Sequence, residues 1–289
     1  VTAGGGPGAG SPIADRQARL AKVYDQEILP AYAARFGALL LARLKSLEVS
    51  PAARVVEIGC ATGEVTRALA RLFDADARIT AVDEASAFIA EARAKLEAAE
   101  DARAPVVLQP ATPFALPVED GAADLVVSNL AAASAGDLGA AADEIARVLA
   151  PGGHAVITAP LRGTWTEFLD LFREVLREND KRDSLTALDR YVDALPDGAA
   201  VAGALEAAGL GDVRIDVERW EMLFKSAREF FFAPLVELGP LPRWKQLSGR
   251  GDEMQDIFFF TKESIDTYFK GRVFAVGVVG AAASGRKPG

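Results

Sequence analysis

Apolar and polar positions alternate in two rhythms between roughly residues 54 and 160. Short, nearly unbroken apolar runs ("RVVEI", "RITAV" ending at Asp83, "PVVLQ", "ADLVVSN" and "HAVITAP") predict strands buried on both faces. Helical spacing fills the intervals. "GEVTRALARLF" sets Val65, Leu69 and Leu72 on one stripe, and "SAFIAEARAKLEAAE" aligns Phe88, Ala92 and Leu96, with Ser86 as its candidate N-cap. A further helix is expected from near Asp137 to Leu149, closed by "APGG". Apolar strands separated by helices predict a parallel sheet covered on both sides.

Ahead of this sheet, helical spacing runs from Ala14 to about Leu44; Leu20, Val23 and Tyr24 share a face, and Pro30 is expected to break or restart the helix. After Pro160 the rhythm changes. "TWTEFLDLFREVLREN" and "DSLTALDRYVDAL" read as amphipathic helices, followed by a helix ending at Gly209 and a strand, "VRIDVERWEML". The stretch 225–270 is aromatic-rich, mostly helical and out of step with the sheet, so it reads as an insertion before a closing strand, "GRVFAVGVVG".

With 289 residues, half of them apolar and a quarter charged, the chain suits one large domain or one domain plus an insertion. The net charge of -9 and the absence of a basic run argue against nucleic acid or an anionic membrane as partner. The longest apolar run, Val273 to Ala283, is too short to span a bilayer. Cys60 is the single cysteine, which excludes an intrachain disulfide and points to a cytoplasmic compartment. His154 is the single histidine, so no metal site is expected. The opening "VTAGGGPGAGSP" lacks a charged start followed by an apolar run, and residues 1–13 read as a disordered tail rather than a signal peptide.

The stretch most suggestive of chemistry is "VVEIGCATGEVT". A strand enters a turn pinned by Gly59 and Gly63, whose backbone can approach a ligand closely, and a helix then presents its free N–H groups. Asp83 follows 20 positions after Gly63, at the end of the next strand, where a carboxylate can accept both hydroxyls of a ribose. An adenosine-bearing ligand fits this pattern. A dinucleotide would call for G-x-G-x-x-G, absent here, which weighs against a nicotinamide-dependent oxidoreductase. Glu57, one strand position before the turn, would repel a phosphate and favour an ammonium group. S-adenosylmethionine, with its zwitterionic tail, answers both features.

"VVEIGCATG", "AVDEAS", "LPVEDGAADLVVSNLAAA" and "LAPGGHAVITAP" resemble the successive motifs of class I S-adenosylmethionine-dependent methyltransferases, the small-molecule group called type 11. "SNLAAA" and the run from "LAPGG" to "FLDLF" are similar to malonyl-acyl-carrier-protein O-methyltransferases. The resemblance implies an α/β, Rossmann-like, seven-stranded, mostly parallel sheet with an antiparallel last strand. Helices cover both faces, with an N-terminal helical lid over 14–46, a methyltransferase domain over 47–289 and a helical insertion before the last strand. It implies S-adenosylmethionine as cofactor and S-adenosylhomocysteine as product. The implied cofactor contacts are Glu57, Gly59, Cys60, Ala61, Thr62 and Gly63 at the first turn, Asp83 at the ribose with Glu84 beside it, Thr112, Pro113 and Phe114 at the adenine, Asn129 and Leu130 at the reaction pocket, and Tyr24 from the N-terminal helices.

Two departures stand out. Ala61 replaces the usual middle glycine, and Pro113 has no N–H to offer an adenine ring, leaving Phe114 to stack on it. Tyr24 and Tyr32 either cover the cofactor or simply pack. Tyr32, Arg162, Trp165 and Tyr191 are candidates for the acceptor side, against the alternative that the aromatic residues form the core of the insertion. No catalytic residue is assigned. The expected activity is O- or N-directed methyl transfer to a small-molecule or acyl-carrier-bound acceptor; the alternative is a catalytically degenerate binding or interaction protein on the same fold. The oligomeric state is left open.

Overall fold

The structure is a computed structural model that describes residues 12–289. The tail expected over 1–13 therefore lies outside the described residues up to position 11, and a helix already begins at Pro12. Seven strands, β1 (Arg54–Ile58), β2 (Arg78–Asp83), β3 (Val106–Pro110), β4 (Ala123–Asn129), β5 (Leu149–Pro160), β6 (Gly211–Phe224) and β7 (Phe274–Arg286), form one sheet in the order β3-β2-β1-β4-β5-β7-β6. The strands β1 to β5 pair in parallel, and β7 runs antiparallel to both β5 and β6. Strand order reverses between β1 and β4, so a crevice opens beyond their carboxyl ends.

The apolar runs alternate between two cores. Val55, Leu125 and Val127 face one, with Leu40, Val65 and Leu69; Val56, Ile58 and Val126 face the other, with Ile145, Val201 and Leu205. The helices of this part of the chain are α1 (Pro12–Val23), α2 (Ala34–Leu44), α3 (Glu64–Leu72), α4 (Ser86–Glu97), α5 (Ala131–Ser134), α6 (Leu138–Val148), α7 (Thr166–Glu178), α8 (Arg182–Asp193) and α9 (Gly198–Ala207), of which α2, α3, α6 and α9 supply these partners. Asp137 and Asp197 cap α6 and α9, accepting the N–H groups of Ala140 at 2.9 Å and Ala200 at 2.8 Å.

Three local expectations change. Ser86 does not cap α4: Ala85 holds the N-cap position, and its N–H is taken by Asp83 at 2.9 Å. Pro30 does not break the N-terminal helix. The backbone widens into a π-helix over Tyr24–Ala33 and continues into α2, so the helix absorbs the missing N–H by changing pitch rather than ending. The "APGG" segment is already strand: β5 begins at Leu149, paired with Ala123, and shifts register before His154 meets Leu125.

A third core, dominated by aromatic side chains, lies over β6 and β7. The insertion supplies α10 (Ala227–Phe232), α11 (Pro234–Leu238), α12 (Leu241–Leu247) and α13 (Gly251–Tyr268), which close around Phe168, Phe172, Phe230 and Trp244. Phe168 and Trp244 are the tightest pair, with ring centroids 4.1 Å apart. The sheet makes room with small residues. An added Cβ at Gly280 would lie 2.7 Å from the Trp220 ring and 2.9 Å from Phe36. No helix among the described residues is long and apolar enough to cross a membrane.

Candidate active site

β1 delivers its last residues into the crevice, and the chain turns through Gly59 (φ 74°), Ala61 (φ 45°) and Gly63 (φ 85°) before α3. A Cβ on Gly59 would lie 2.0 Å from the Ala131 methyl, and one on Gly63 would lie 2.9 Å from that of Ala92. Both glycines are thus required by close packing of the turn against α5 and α4, whatever else the turn holds. Ala61, at the position of the usual middle glycine, takes the same left-handed conformation and accepts its strain.

Asp83 fixes this turn from the neighbouring strand. One carboxylate oxygen accepts the N–H of Ala61 at 2.9 Å and the other that of Ala85, also at 2.9 Å. Each oxygen keeps lone pairs for another donor. The N–H groups of Gly59 and Cys60 both donate to the carbonyl of Val82, at 2.8 and 2.9 Å.

Glu57 is the anomaly of the site. It is buried, and neither carboxylate oxygen has a hydrogen-bond partner among the described residues. Burial pushes its pKa up to about 7; the Asp83 charge adds to the shift, and the nearby Thr66 hydroxyl opposes it. No hydrogen bond of acceptable geometry joins Glu57 to Thr66, whose own hydroxyl is also unpartnered. The same environment raises the Cys60 thiol, through burial first and then Glu57 and Asp83, leaving the side chain buried and protonated. Tyr24 is pushed up to about 12 by burial, with Asp83, Asp25 and Glu57 contributing, and it meets Phe88 edge-on at 5.3 Å.

Gly59 divides the crevice into two spaces. One, about 360 Å³, is lined by Asp83, Glu84, Ala85, Ala111, Pro113 and Ser134, and falls within the ordinary size of ligand cavities. The other, bounded by Tyr24, Leu29, Glu57, Thr62, Val65 and Asn129, has only about 20 Å³ free, room for a single water. It is the π-helical segment that fills it. Thr62 donates its hydroxyl to Asp25 at 2.7 Å, Lys95 pairs with the same carboxylate, and Asn129 donates to the Ala33 carbonyl at 3.1 Å. Burial works to raise the Asp25 pKa, but the Lys95 and Thr62 contacts outweigh it and hold the group below its ordinary range.

Asn129 is held in turn by Thr158, which donates to its side-chain oxygen at 2.8 Å and accepts the Leu130 N–H at 2.9 Å. Leu130 sits at φ 70°, a second strained residue in the crevice. Thr112 and Phe114 are exposed: Thr112 accepts the Phe114 N–H at 3.3 Å, and only Pro113 of this trio lines the larger cavity. Phe114 is therefore not placed to stack on a ring there. Asp25, Lys95, Leu29 and Thr158 were not legible as site residues, because they act across elements distant in sequence; the acid beside Tyr24 was the one available signal.

The acceptor candidates do not converge on a cavity. Tyr32 and Trp165 are buried and stacked, 6.4 Å between centroids, within the aromatic core, and Tyr191 packs against that core. Arg162 donates to the carbonyls of Asp193 at 2.9 Å and Leu195 at 3.3 Å, closing the end of α8. A groove of about 820 Å³ opens instead at the carboxyl end of β6, lined by Pro30, Arg35, Met222, Leu223, Arg228 and Phe232 among others. The π-helical segment lies between it and the crevice, Pro30 facing the groove and Leu29 the crevice.

Residues 56–157 match the family model described as a methyltransferase domain. A malonyl-[acyl-carrier protein] O-methyltransferase of Halorhodospira halophila is 38% identical over 155 residues, 50% of this chain and 49% of that protein. The chain thus spans about half the length of that relative, and 28% of a bifunctional biotin-biosynthesis protein of Bordetella avium, 35% identical over 144 residues. A demethylmenaquinone methyltransferase of Mycolicibacterium gilvum is 30% identical over 179 residues, 59% of this chain and 73% of that protein. Among solved structures, phosphoethanolamine N-methyltransferase 2 of Haemonchus contortus superposes with a TM-score of 0.51 at 19% identity, covering 86% of this chain and 52% of that one. The YcgJ protein of Bacillus subtilis gives 0.53 at 16% identity, with 87% and 99% covered, and at such identities both speak for the fold alone. With the ordered motifs, the switch-point crevice and a relative matched over most of its length, the chain belongs to the class I S-adenosylmethionine-dependent methyltransferases.

Proposed function

We propose that this protein transfers a methyl group from S-adenosylmethionine to a nucleophilic oxygen or nitrogen of a small-molecule or carrier-bound acceptor. The observation that carries the reading is Glu57: a buried carboxylate without a partner, at the crevice of the switch point, next to a cavity of nucleoside size. An unpaired buried acid costs several kcal/mol unless a ligand completes it, and an ammonium group would do so. In this reading Glu57 and the turn from Gly59 to Gly63 hold the amino-acid end, and Asp83 and Glu84 hold the ribose. Pro113 supplies only an apolar wall at the base.

When bound, the cofactor supplies a methyl group already activated by its sulfonium. What is left to the chain is alignment and the exclusion of water. Tyr24 and Leu29 occupy the smaller space, so the π-helical segment moves outward to admit the cofactor and returns to seal it. Glu57, at about 7, is the one crevice group suited to hold a proton at neutral pH, and it is assigned to the amino-acid end; the Tyr24 phenol and the Cys60 thiol are protonated, and Asp25 is committed to Lys95 and Thr62. This favours an acceptor that arrives already nucleophilic, above all a carboxylate, which needs no general base. The groove beyond Pro30, with Arg228 over the face of Phe232 at 5.8 Å, is the proposed approach for such an acceptor. The name of the Halorhodospira relative, a methyltransferase of a malonyl group on a carrier protein, agrees with that chemistry.

Isothermal calorimetry with S-adenosylmethionine and S-adenosylhomocysteine tests the proposal, with saturable heat from both expected. Folded protein that binds neither would defeat it and leave a binding or interaction protein. That second reading draws on the filled space under Tyr24 and on Pro113.

A further inference from the structure

At the opposite end of the sheet, far from the carboxyl ends of the strands, four elements place three guanidinium groups and an imidazole around one polar cavity of about 470 Å³. Arg43 comes from α2, His154 from β5, Arg214 from β6 and Arg286 from β7. Methyl transfer makes no use of this place. Two of its three guanidinium groups have no carboxylate partner among the described residues: Arg286 donates to the Gly152 carbonyl, at 3.2 Å, and Arg214 makes no ion pair. Arg43 is held in place, its side chain 11% exposed, by donating to Ser284 Oγ at 2.9 Å and Asp216 at 3.4 Å. The lining carries two carboxylates, Glu48 and Asp212, against three guanidinium groups and an imidazole. Asp212 adopts φ 51°, a left-handed conformation that aspartate tolerates better than most residues, at the point where β6 enters the cavity.

We propose that this cavity binds a phosphorylated small molecule, with Arg43, Arg214 and Arg286 receiving the phosphoryl oxygens and His154 at their side. Guanidinium forks from three separate elements offer more donors than one carboxylate can accept, whereas a phosphoryl group, or two in series, matches them. The volume leaves space for the rest of the molecule as well. The groups that face His154 are Arg43 from α2, Glu48 from the loop after it, Asp212 and Arg214 from β6, and Arg286 from β7. Burial and Arg286 keep the imidazole below its usual pKa, with Asp212 opposing; a bound anion would favour its protonated form.

His154 is the only histidine, so its ring protons give an isolated NMR signal that reports on this cavity alone. The test is titration of the full chain with inorganic pyrophosphate, with citrate as the polycarboxylate arm and sodium chloride at matched ionic strength as control. The expected result is a saturable displacement of the His154 resonance by pyrophosphate, and an upward move of its titration midpoint. Arg214→Ala should weaken that binding by about tenfold, the worth of one charge-assisted contact, while S-adenosylhomocysteine binding is unchanged. Saturation by citrate but not by pyrophosphate would overturn the phosphoryl assignment. A response no greater than with chloride, or one that Arg214→Ala and Arg286→Ala both leave intact, would overturn the site.

Discussion

The two halves of the sheet solve opposite problems. On the side of β1 and β4, the chain turns through left-handed residues, presses α5 and α4 onto bare glycines, and leaves Glu57 and Thr66 without partners. On the side of β6 and β7, large rings interlock around Phe168, Phe230 and Trp244, while Leu223, Phe232, Phe259 and Phe260 stay exposed at the edge of that core. The first half holds unsatisfied groups and strain where a ligand can discharge them. The second spends its rings on packing, and its open spaces lie at its two ends, in the groove beside Pro30 and the cavity beside Arg214. A crevice tuned for binding is therefore held by a neighbour that is tuned for stability, and substitutions in the two should separate cleanly.

The largest effect is expected from the aromatic half. Phe168→Ala leaves a cavity beneath Trp244 and should cost about 3–5 kcal/mol in urea unfolding, while protein that remains folded keeps its affinity for S-adenosylhomocysteine. If affinity falls in step with stability, the two halves are not separate. Gly59→Ala comes next. Its methyl would overlap Ala131 in a left-handed backbone, so about 2–4 kcal/mol of stability should be lost together with cofactor binding. An Ala variant that binds normally would show that the turn is slack.

Glu57 supplies a pH test of the same contrast. Its folded pKa, about 7, lies above its ordinary value of 4.5, so the folded protein binds the proton more tightly than the unfolded chain. The stability associated with the protonated acid is complete below about pH 4.5 and is lost as pH rises through about 7, amounting to a few kcal/mol at most. Glu57→Gln should flatten that dependence in urea melts between pH 5 and 8 and stabilise the ligand-free protein at the alkaline end. It should also weaken S-adenosylmethionine binding at pH 8. An unchanged pH profile would mean that the acid is neutralised by some other means. The smallest effect belongs to Asp25→Asn, which loosens the π-helical segment from Lys95 and Thr62. Stability should fall by no more than about 1 kcal/mol, while stopped-flow release of S-adenosylhomocysteine speeds up several-fold.

Much of the first half could be read from residues alone. Strand runs, the Gly59–Gly63 turn and the acid closing β2 are local signals, set by burial on two faces and by the few residues that tolerate left-handed backbone. The reason for those glycines was not local. It lies in Ala131 and Ala92, brought against them by helices that begin later in the chain. Pro30 misled in a similar way, since its missing N–H could be absorbed by a wider helix that only the contacts of its two sides make worthwhile.

The chain order of its apolar runs, its glycines and its acids settled the family fold and the place of the crevice, because strand burial and turn geometry act over a few residues. Tertiary structure alone decided that Asp83 braces the first turn and that Glu57 is left unpartnered. It also put Tyr32 and Trp165 into a core, and brought three arginines and the one histidine together at the far edge of the sheet. Those outcomes depend on distances between elements up to 241 positions apart, as between Arg43 and Ser284. No local pattern encodes such a separation; only the closed packing of the sheet and its helices does.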